Sequence, residues 1–212
     1  FLIILASSDY ASKFSRFQGE YYALILLSTL GMMLMAAATN LIAIYISLEL
    51  ASISLYALVG FLKNPKSTEA SLKYLLLGAL ASAILLYGMA LVFGFTGATG
   101  LGDIARSIQS MSPQTLLTSP ALLMGIILLI GGFGFKIAAV PFQMWVPDVY
   151  EGAPTPITAY LSVASKAAGF AVIVRVFFSA FGIPEWLGMN WGLIFAVLAI
   201  ISMTFGNIAA IP

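Results

Sequence analysis

The chain has 212 residues, of which 61% are hydrophobic and 8% charged, and its mean hydropathy is +1.06. Soluble domains carry about 25% charged residues, so this composition excludes that class and predicts a polytopic membrane protein. Nine basic residues against eight acidic ones leave no basic surface for nucleic acid, and the absence of cysteine and histidine removes the usual ligands of haem, iron–sulfur and zinc sites.

Both ends of the sequence have the pattern of an interrupted longer chain. The opening Phe1-Leu2-Ile3-Ile4-Leu5 lacks an initiator methionine and a basic flank, which is typical of the tail of a preceding span and not of a signal peptide. The last apolar segment reaches Pro212 without a polar exit. We expect an internal fragment that forms one membrane domain.

Six further apolar segments follow in chain order, each near the roughly 20 residues that a bilayer requires. They predict spans at 21–38, 41–62, 70–95, 116–147 with an interruption, 155–181 and 190–211. The predicted fold class is therefore all-α, a polytopic transmembrane helix bundle.

A polar connection at 97–113 separates the third and fourth spans. Within it, Leu101, Ile104, Ala105 and Ile108 recur at helical spacing, which predicts a short amphipathic helix at the membrane interface.

Loop charges predict the orientation, because lysine and arginine collect on the cytoplasmic side. One side of the membrane has Lys13, Arg16, Lys63 and Lys66, whereas the opposite side has Arg106 and Arg175. The first side is expected to be cytoplasmic.

The most informative residue is Lys136, deep in the apolar fourth segment, after Gly131, Gly132 and Gly134. A lysine in hydrocarbon is costly and is seldom kept without a task. Pro141 has no N–H and its ring clashes with the carbonyl of Ile137, so the helix should break within about one turn of the ammonium group. Charge and broken helix together indicate ion transport.

Depth along the spans sorts the other charges. Glu49, Lys136 and Lys166 all fall within roughly 6 Å of mid-depth at about 1.5 Å rise per residue. Lys73 falls nearer the end of its span, where spacing alone allows it to snorkel to the interface or to pair with Glu69 at i, i+4.

Two interpretations of the mid-depth charges remain. Glu49 with either lysine could form a fixed ion pair that holds helices together. However, several lysines face one intramembrane carboxylate, so static pairing leaves a desolvated lysine, whose charged form is disfavoured. A lysine that can release its proton under the influence of a movable partner is what a proton relay needs.

Polar side chains continue two helix faces. One stripe consists of Thr158, Ser162 and Lys166, and the other of Tyr45, Glu49, Ser52 and Tyr56. Such hydroxyls could hold water for proton hopping, but small polar residues are equally common where membrane helices pack closely. The stripes alone do not decide between a water-filled proton path and close packing of the helices.

Two consecutive motifs carry a resemblance to a known family. They read GFKIAAVPFQMWVPDVYEGAPTP from Gly134 to Pro156 and AYLSVASKAA from Ala159 to Ala168. Together they closely resemble the antiporter-like membrane subunits of NADH-quinone oxidoreductase, respiratory complex I. The combination of Asp148-Val-Tyr-Glu-Gly with Ser165-Lys166 is similar to the subunit N branch, called subunit 2 in mitochondria.

The resemblance implies roles for particular residues. It implies that Glu49 and Lys73 form a modulating pair, and that Lys136 and Lys166 carry the proton. It moves Lys73 inward from where the spacing leaves it. It also implies an inverted repeat, of which this chain contains only the first half.

The resemblance further implies a proton-translocating subunit coupled to quinone reduction elsewhere in a complex, with no redox chemistry in this chain. NAD(H), flavin, iron–sulfur clusters and quinone are then expected in partner subunits, beside related antiporter-like subunits. The location implied is an energy-transducing membrane: the bacterial plasma membrane, or alternatively a thylakoid or mitochondrial inner membrane. A multi-subunit cation/proton antiporter and a membrane-bound hydrogenase subunit would share these lysines. A different class is a scaffold that docks other subunits and conducts nothing.

Overall fold

The computed structural model describes residues 1–11, 17–112, 115, 118–182 and 191–209. Two of the orientation-determining residues, Lys13 and Arg16, lie outside these ranges. So do the predicted segment ends at 113, 116, 190 and 211.

Regular structure in the described part of the chain is helical. In chain order the helices are α1 (Leu2–Ala6), α2 (Ser8–Ala11), α3 (Gln18–Ala37), α4 (Leu41–Val59), α5 (Pro65–Thr96), α6 (Leu101–Gln109), α7 (Pro120–Ile137), α8 (Val146–Gly152), α9 (Thr155–Ser179) and α10 (Trp191–Ala209). Helices α3, α4, α5, α7, α9 and α10 are long and apolar enough to cross a membrane. The predicted fold class, an all-α polytopic bundle, is confirmed.

Polar residues start two of these helices. Helix α5 begins at Pro65, not at Ala70, because Asn64 Oδ1 accepts a hydrogen bond from Ser67 N at 2.8 Å and proline suits the first helical position. Helix α7 likewise begins with Pro120, after Ser119, whose hydroxyl oxygen accepts from Leu122 N at 3.4 Å. The polar first turn of α5 thus extends that helix beyond its apolar segment.

The described residues form two compact units. The first comprises Phe1–Ala38, Ala43–Leu80 and Trp145–Ala168. Inside it, α3 and α4 approach closely, since a Cβ on Gly31 would lie 2.8 Å from the Ser47 carbonyl oxygen. The Tyr160 hydroxyl lies 3.0 Å from Ser28 Oγ and 2.6 Å from Thr29 Oγ1, which ties α9 to α3.

The second unit comprises Thr39–Ile42, Ala81–Met144 and Gly169–Pro212. Within it, α5 and α7 pack backbone to backbone, because a Cβ on Gly88 would lie 2.9 Å from the Gly125 carbonyl oxygen and one on Gly125 would lie 3.1 Å from that of Gly88. Small residues permit such close approach between membrane helices.

Helix α6 also belongs to the second unit. Its start is fixed by two backbone hydrogen bonds of 2.9 Å, from Leu101 N to Thr39 O and from Leu41 N to Thr99 O. Its buried residues are the four that recur at helical spacing in the sequence, Leu101, Ile104, Ala105 and Ile108. Its opposite face carries an exposed Asp103–Arg106 ion pair, so the helix is amphipathic.

Candidate functional site

The break in the fourth long segment follows the end of α7 at Ile137. Ala138 takes a left-handed conformation with φ 57°, and the amides of Ala138 and Ala139 donate to Phe135 O and Gly134 O at 3.1 and 2.9 Å. A turn closed by Phe142 N donating to Ala139 O at 2.7 Å then leads toward α8. The discontinuous helix predicted near Lys136 to Pro141 is confirmed.

The glycines before Lys136 make room for two neighbours, the returning chain and α5. A Cβ on Gly134 would lie 2.9 Å from Phe142 Cδ2, and a Cβ on Gly132 would lie 2.6 Å from Leu85 Cβ of α5. The break also has a polar support on α10, because Val140 N donates to Ser202 Oγ at 3.0 Å. The glycine pattern therefore serves the packing of the break.

Lys136 occupies the last turn of α7 and is half-buried. A cation is favoured there, because the C-terminal end of a helix carries partial negative charge. Helix α9 passes close by, since a Cβ on Gly169 would lie 2.7 Å from Ile137 Cγ2 and 4.0 Å from Lys136 Cβ. The structure thus places this lysine beside an open helix end, as the sequence predicts.

Lys166 belongs to α9 in the first unit. Its Nζ has essentially no accessible surface and lies over the Trp145 ring, 4.6 Å from the centroid. An ammonium group within about 6 Å of an aromatic face is attracted by the ring's quadrupole. The buried cation therefore has an aromatic contact.

Trp145 belongs to an aromatic cluster formed by Tyr56, Tyr74, Trp145 and Tyr150. Tyr74 stacks on Trp145 at 4.6 Å and 15°, and Tyr56 meets Tyr74 edge-on at 4.7 Å. Tyr150 completes the cluster edge-on to Trp145 at 6.2 Å. Burial raises the pKa of the Tyr150 phenol, which lies in α8, outside the long apolar helices.

Glu49 lies half-buried on α4, on the same helix face as Tyr45, Ser52 and Tyr56. The Ser52 hydroxyl donates to the Leu48 carbonyl of its own helix. Tyr56, on the same face, meets Tyr74 of the aromatic cluster edge-on at 4.7 Å. This face therefore connects the intramembrane carboxylate with the aromatic cluster.

Lys73 belongs to a charged cluster formed by Lys66, Glu69, Lys73, Asp148 and Glu151. Lys73 Nζ lies 2.9 Å from Glu69 Oε1 and 2.8 Å from Asp148 Oδ2, and its side chain is 43% exposed. The pairing with Glu69 is the one that its spacing allows. Lys66 Nζ lies 2.5 Å from Glu151 Oε1, so two ion pairs join α5 to α8.

The two hydroxyls of the α9 stripe donate hydrogen bonds to backbone carbonyl oxygens. Thr158 Oγ1 donates to Tyr150 O at 3.1 Å, and the exposed Ser162 donates to Ala159 O at 2.9 Å. Each hydroxyl keeps an oxygen that could accept a further hydrogen bond. A role for Thr158 and Ser162 in a proton path remains a prediction.

Metal-ligating chemistry is sparse in the chain. The sequence has neither cysteine nor histidine. In the ranges that the structure describes, no three acidic side chains gather into a group that could hold a metal ion. The site consists of amines, carboxylates, hydroxyls and aromatic rings.

Sequence reasoning missed the parts of Trp145, Asp148 and Gln143 in this arrangement. All three lie in the recognised motif, but Lys166 and Lys73, the partners of Trp145 and Asp148, are distant in the sequence, and no periodic pattern connects them. Gln143 Oε1 is buried in the turn after the break and accepts no hydrogen bond from the described residues. Its place in the motif, as a polar residue between Pro141 and Trp145, was the signal that could have found it.

Comparisons with known proteins agree with one another. Residues 38–212 match the family described as NADH:quinone oxidoreductase/Mrp antiporter, TM. Over all of its length, the chain is 58% identical to NADH-quinone oxidoreductase subunit N of Dehalococcoides mccartyi, of which it covers 44%.

Solved structures show the same similarity. A chain of respiratory complex I from Thermus thermophilus with bound aureothin superposes with a TM-score of 0.74 at 37% identity, covering 99% of this chain and 43% of that one. A chain of the membrane-bound sulfane sulfur reductase, an archaeal respiratory membrane complex, gives a TM-score of 0.72 at 29% identity, covering 82% of this chain and 34% of that one. The chain spans less than half the length of these relatives.

Proposed function

The chain belongs to the family of NADH:quinone oxidoreductase and Mrp antiporter membrane proteins, and on that premise we propose that it is part of a proton-translocating subunit of an NADH-quinone oxidoreductase. The similarity to subunit N over its whole length supports this choice within the family. The residues proposed for proton transfer are Glu49, Lys73, Lys136 and Lys166.

The observation that carries the proposal is the burial of the Lys166 amine in a membrane helix. Its Nζ has essentially no accessible surface, and an ionisable group at such depth is costly enough to mark a transport pathway by default. Lys136 supports the same function, because it stands at the open end of α7.

The proposed mechanism couples these lysines to movable charges. A neighbouring carboxylate stabilises an ammonium group, and desolvation favours release of its proton when that charge is drawn away. Glu49 supplies the intramembrane carboxylate. Lys73 exchanges between carboxylates, and its contacts with both Glu69 and Asp148 support such exchange.

Energy for pumping must come from partner subunits. Moving one charge against the membrane potential costs about 2.3 kcal/mol per 100 mV, and nothing in this chain can supply it. We propose that NAD(H), flavin, iron–sulfur clusters and quinone reside in those partners, next to related antiporter-like subunits. The bacterial plasma membrane is the location proposed.

Replacing Lys136 or Lys166 tests the proposal directly. In the assembled complex with the full-length subunit, Lys136→Ala and Lys166→Gln should lower the number of protons pumped per electron pair. Lys63→Gln is the matched control, because Lys63 is exposed in the connection before α5. Wild-type pumping in both Lys136→Ala and Lys166→Gln would refute the relay and favour a non-conducting scaffold.

A second candidate is a subunit of another ion-translocating membrane complex, such as a cation/proton antiporter or a membrane-bound hydrogenase. The similarity to the membrane-bound sulfane sulfur reductase complex favours it. Transport that requires sodium would support this candidate, whereas sodium-independent proton transport coupled to NADH oxidation would support the first.

A further inference from the structure

The contacts of α9 indicate a role for a residue outside the proposed proton relay. That role has functional meaning only if Lys166 belongs to the relay. We propose that Trp145 is a positioning residue, which holds the Lys166 ammonium group against the face of its indole ring.

Distance and residue type support the contact. Lys166 Nζ lies 4.6 Å from the Trp145 centroid, within the range of about 6 Å over which an aromatic face attracts a cation, and tryptophan is the strongest of the aromatic side chains in this respect.

Burial strengthens the contact. Trp145 is 1% exposed and Lys166 Nζ has essentially no accessible surface. A cation–aromatic contact is stronger when water is removed from both groups. The pair meets that condition.

The ring is itself held in place. Tyr74, which is also 1% exposed, stacks on Trp145 at 4.6 Å with the two planes inclined by 15°. Tyr150 abuts Trp145 edge-on at 6.2 Å. An indole confined by two neighbours fixes the position of the cation that it attracts.

The chemistry of an indole suits a site that must give up a proton. Its ring nitrogen is a hydrogen-bond donor only, so the side chain offers no lone pair to take the ammonium proton. A carboxylate in the same position would form an ion pair and could accept that proton. Trp145 therefore retains the cation while leaving its proton for another acceptor.

Amine reactivity measures this contact without reference to pumping. The assembled complex is treated with a membrane-permeant amine-acylating reagent, and the modification rate of Lys166 is followed by mass spectrometry. Because only the neutral, accessible amine reacts, Trp145→Leu should raise the rate roughly tenfold, whereas Trp145→Phe should keep it within about threefold of the wild type. Lys136 in the same samples should keep its rate.

Trp191→Leu is the matched control, because Trp191 is a buried tryptophan that packs on Phe177 at 4.9 Å. It should leave the Lys166 rate unchanged. An unchanged rate in Trp145→Leu, a rate in Trp145→Phe as high as in Trp145→Leu, or a parallel rise at Lys136 would each overturn the positioning role.

Measuring proton pumping in the Lys166→Gln variant distinguishes a failure of the proposed relay from a failure of the positioning role of Trp145. Normal pumping in that variant would argue against a relay role for Lys166 and leave the labelling result to decide the role of Trp145. Lost pumping together with unchanged labelling in Trp145→Leu would support the relay and overturn the positioning role.

Discussion

The charged cluster and the aromatic cluster of the first unit hold the same kind of side chain in different ways. In the charged cluster, the Lys66 and Lys73 side chains are 63% and 43% exposed and lie against carboxylates. In the aromatic cluster, the buried Lys166 amine lies over an indole ring. In these two clusters the exposed lysines face carboxylates, whereas the buried one faces an aromatic ring.

Physical chemistry accounts for this difference. Removing two opposite charges from water costs several kcal/mol per ion, which their attraction repays only with excellent geometry. An aromatic face needs little desolvation and still attracts a cation. We infer that exposed pairs contribute little to stability here, and that buried rings contribute much.

Tyr74→Ala should have the largest effect on stability. Tyr74 is fully buried between Tyr56 and Trp145, and removing such a ring costs about 3 to 5 kcal/mol. Denaturant unfolding of the full-length protein in detergent micelles measures the loss. Tyr87→Ala is the control, since Tyr87 is 61% exposed; equal losses in both variants would break the contrast between buried rings and exposed groups.

Gly152→Ala should have the next largest effect on stability. It tests the packing of α8 on α5 without changing the ion pairs between the same two helices. A Cβ on Gly152 would clash with Ala70 Cβ and lie 2.9 Å from the Lys66 carbonyl oxygen, which is backbone and cannot move freely. We expect a loss of about 1 to 3 kcal/mol in the same assay. Gly94→Ala, where nothing lies within 4 Å, should be neutral or stabilising, and the reverse order would contradict the packing.

Tyr160→Phe tests a buried polar contact that contains no charge. It removes the hydroxyl shared with Ser28 and Thr29 but keeps the ring. The loss should be about 1 to 2 kcal/mol, because two hydrogen bonds are removed and each usually contributes about 1 kcal/mol net. Thermal melting, compared with Tyr87→Phe, measures it; identical melting of the two variants would show that the hydroxyl adds nothing.

The Lys66–Glu151 pair should have the smallest effect. A double-mutant cycle with Lys66→Gln and Glu151→Gln should give a coupling energy below about 1 kcal/mol, because both side chains are more than half exposed. Raising the salt concentration should reduce it further through screening. A coupling of several kcal/mol that salt does not alter would place this pair among the buried interactions.

Local patterns in the sequence predicted much of the fold. Burial of Leu101, Ile104, Ala105 and Ile108 follows from helical spacing alone. The break after Lys136 follows from a charge, three glycines and a proline in one apolar segment. Helix α5 was expected to begin at Ala70, because counting apolar residues ignores the polar first turn, in which Asn64 Oδ1 accepts a hydrogen bond from Ser67 N.

The contacts of the candidate site were less predictable. Glu69 pairs with Lys73 across one helical turn, which spacing allows. Asp148 reaches Lys73 across 75 positions, and no local rule relates Trp145 to Lys166. These contacts depend on the path of the chain after the break, which only the folded structure supplies.

The tie between α3 and α9 has a consequence for biosynthesis. Thr29 and Tyr160 are 131 positions apart, and ribosomes add about 5 to 20 residues per second, so roughly 7 to 26 seconds separate the two during translation. During that interval the Ser28 and Thr29 hydroxyls of the newly inserted α3 have a partner in their own helix, because both donate to Ile25 O, at 2.9 and 2.8 Å. The first unit can close only after α9 emerges, so its final assembly follows the synthesis of most of this chain.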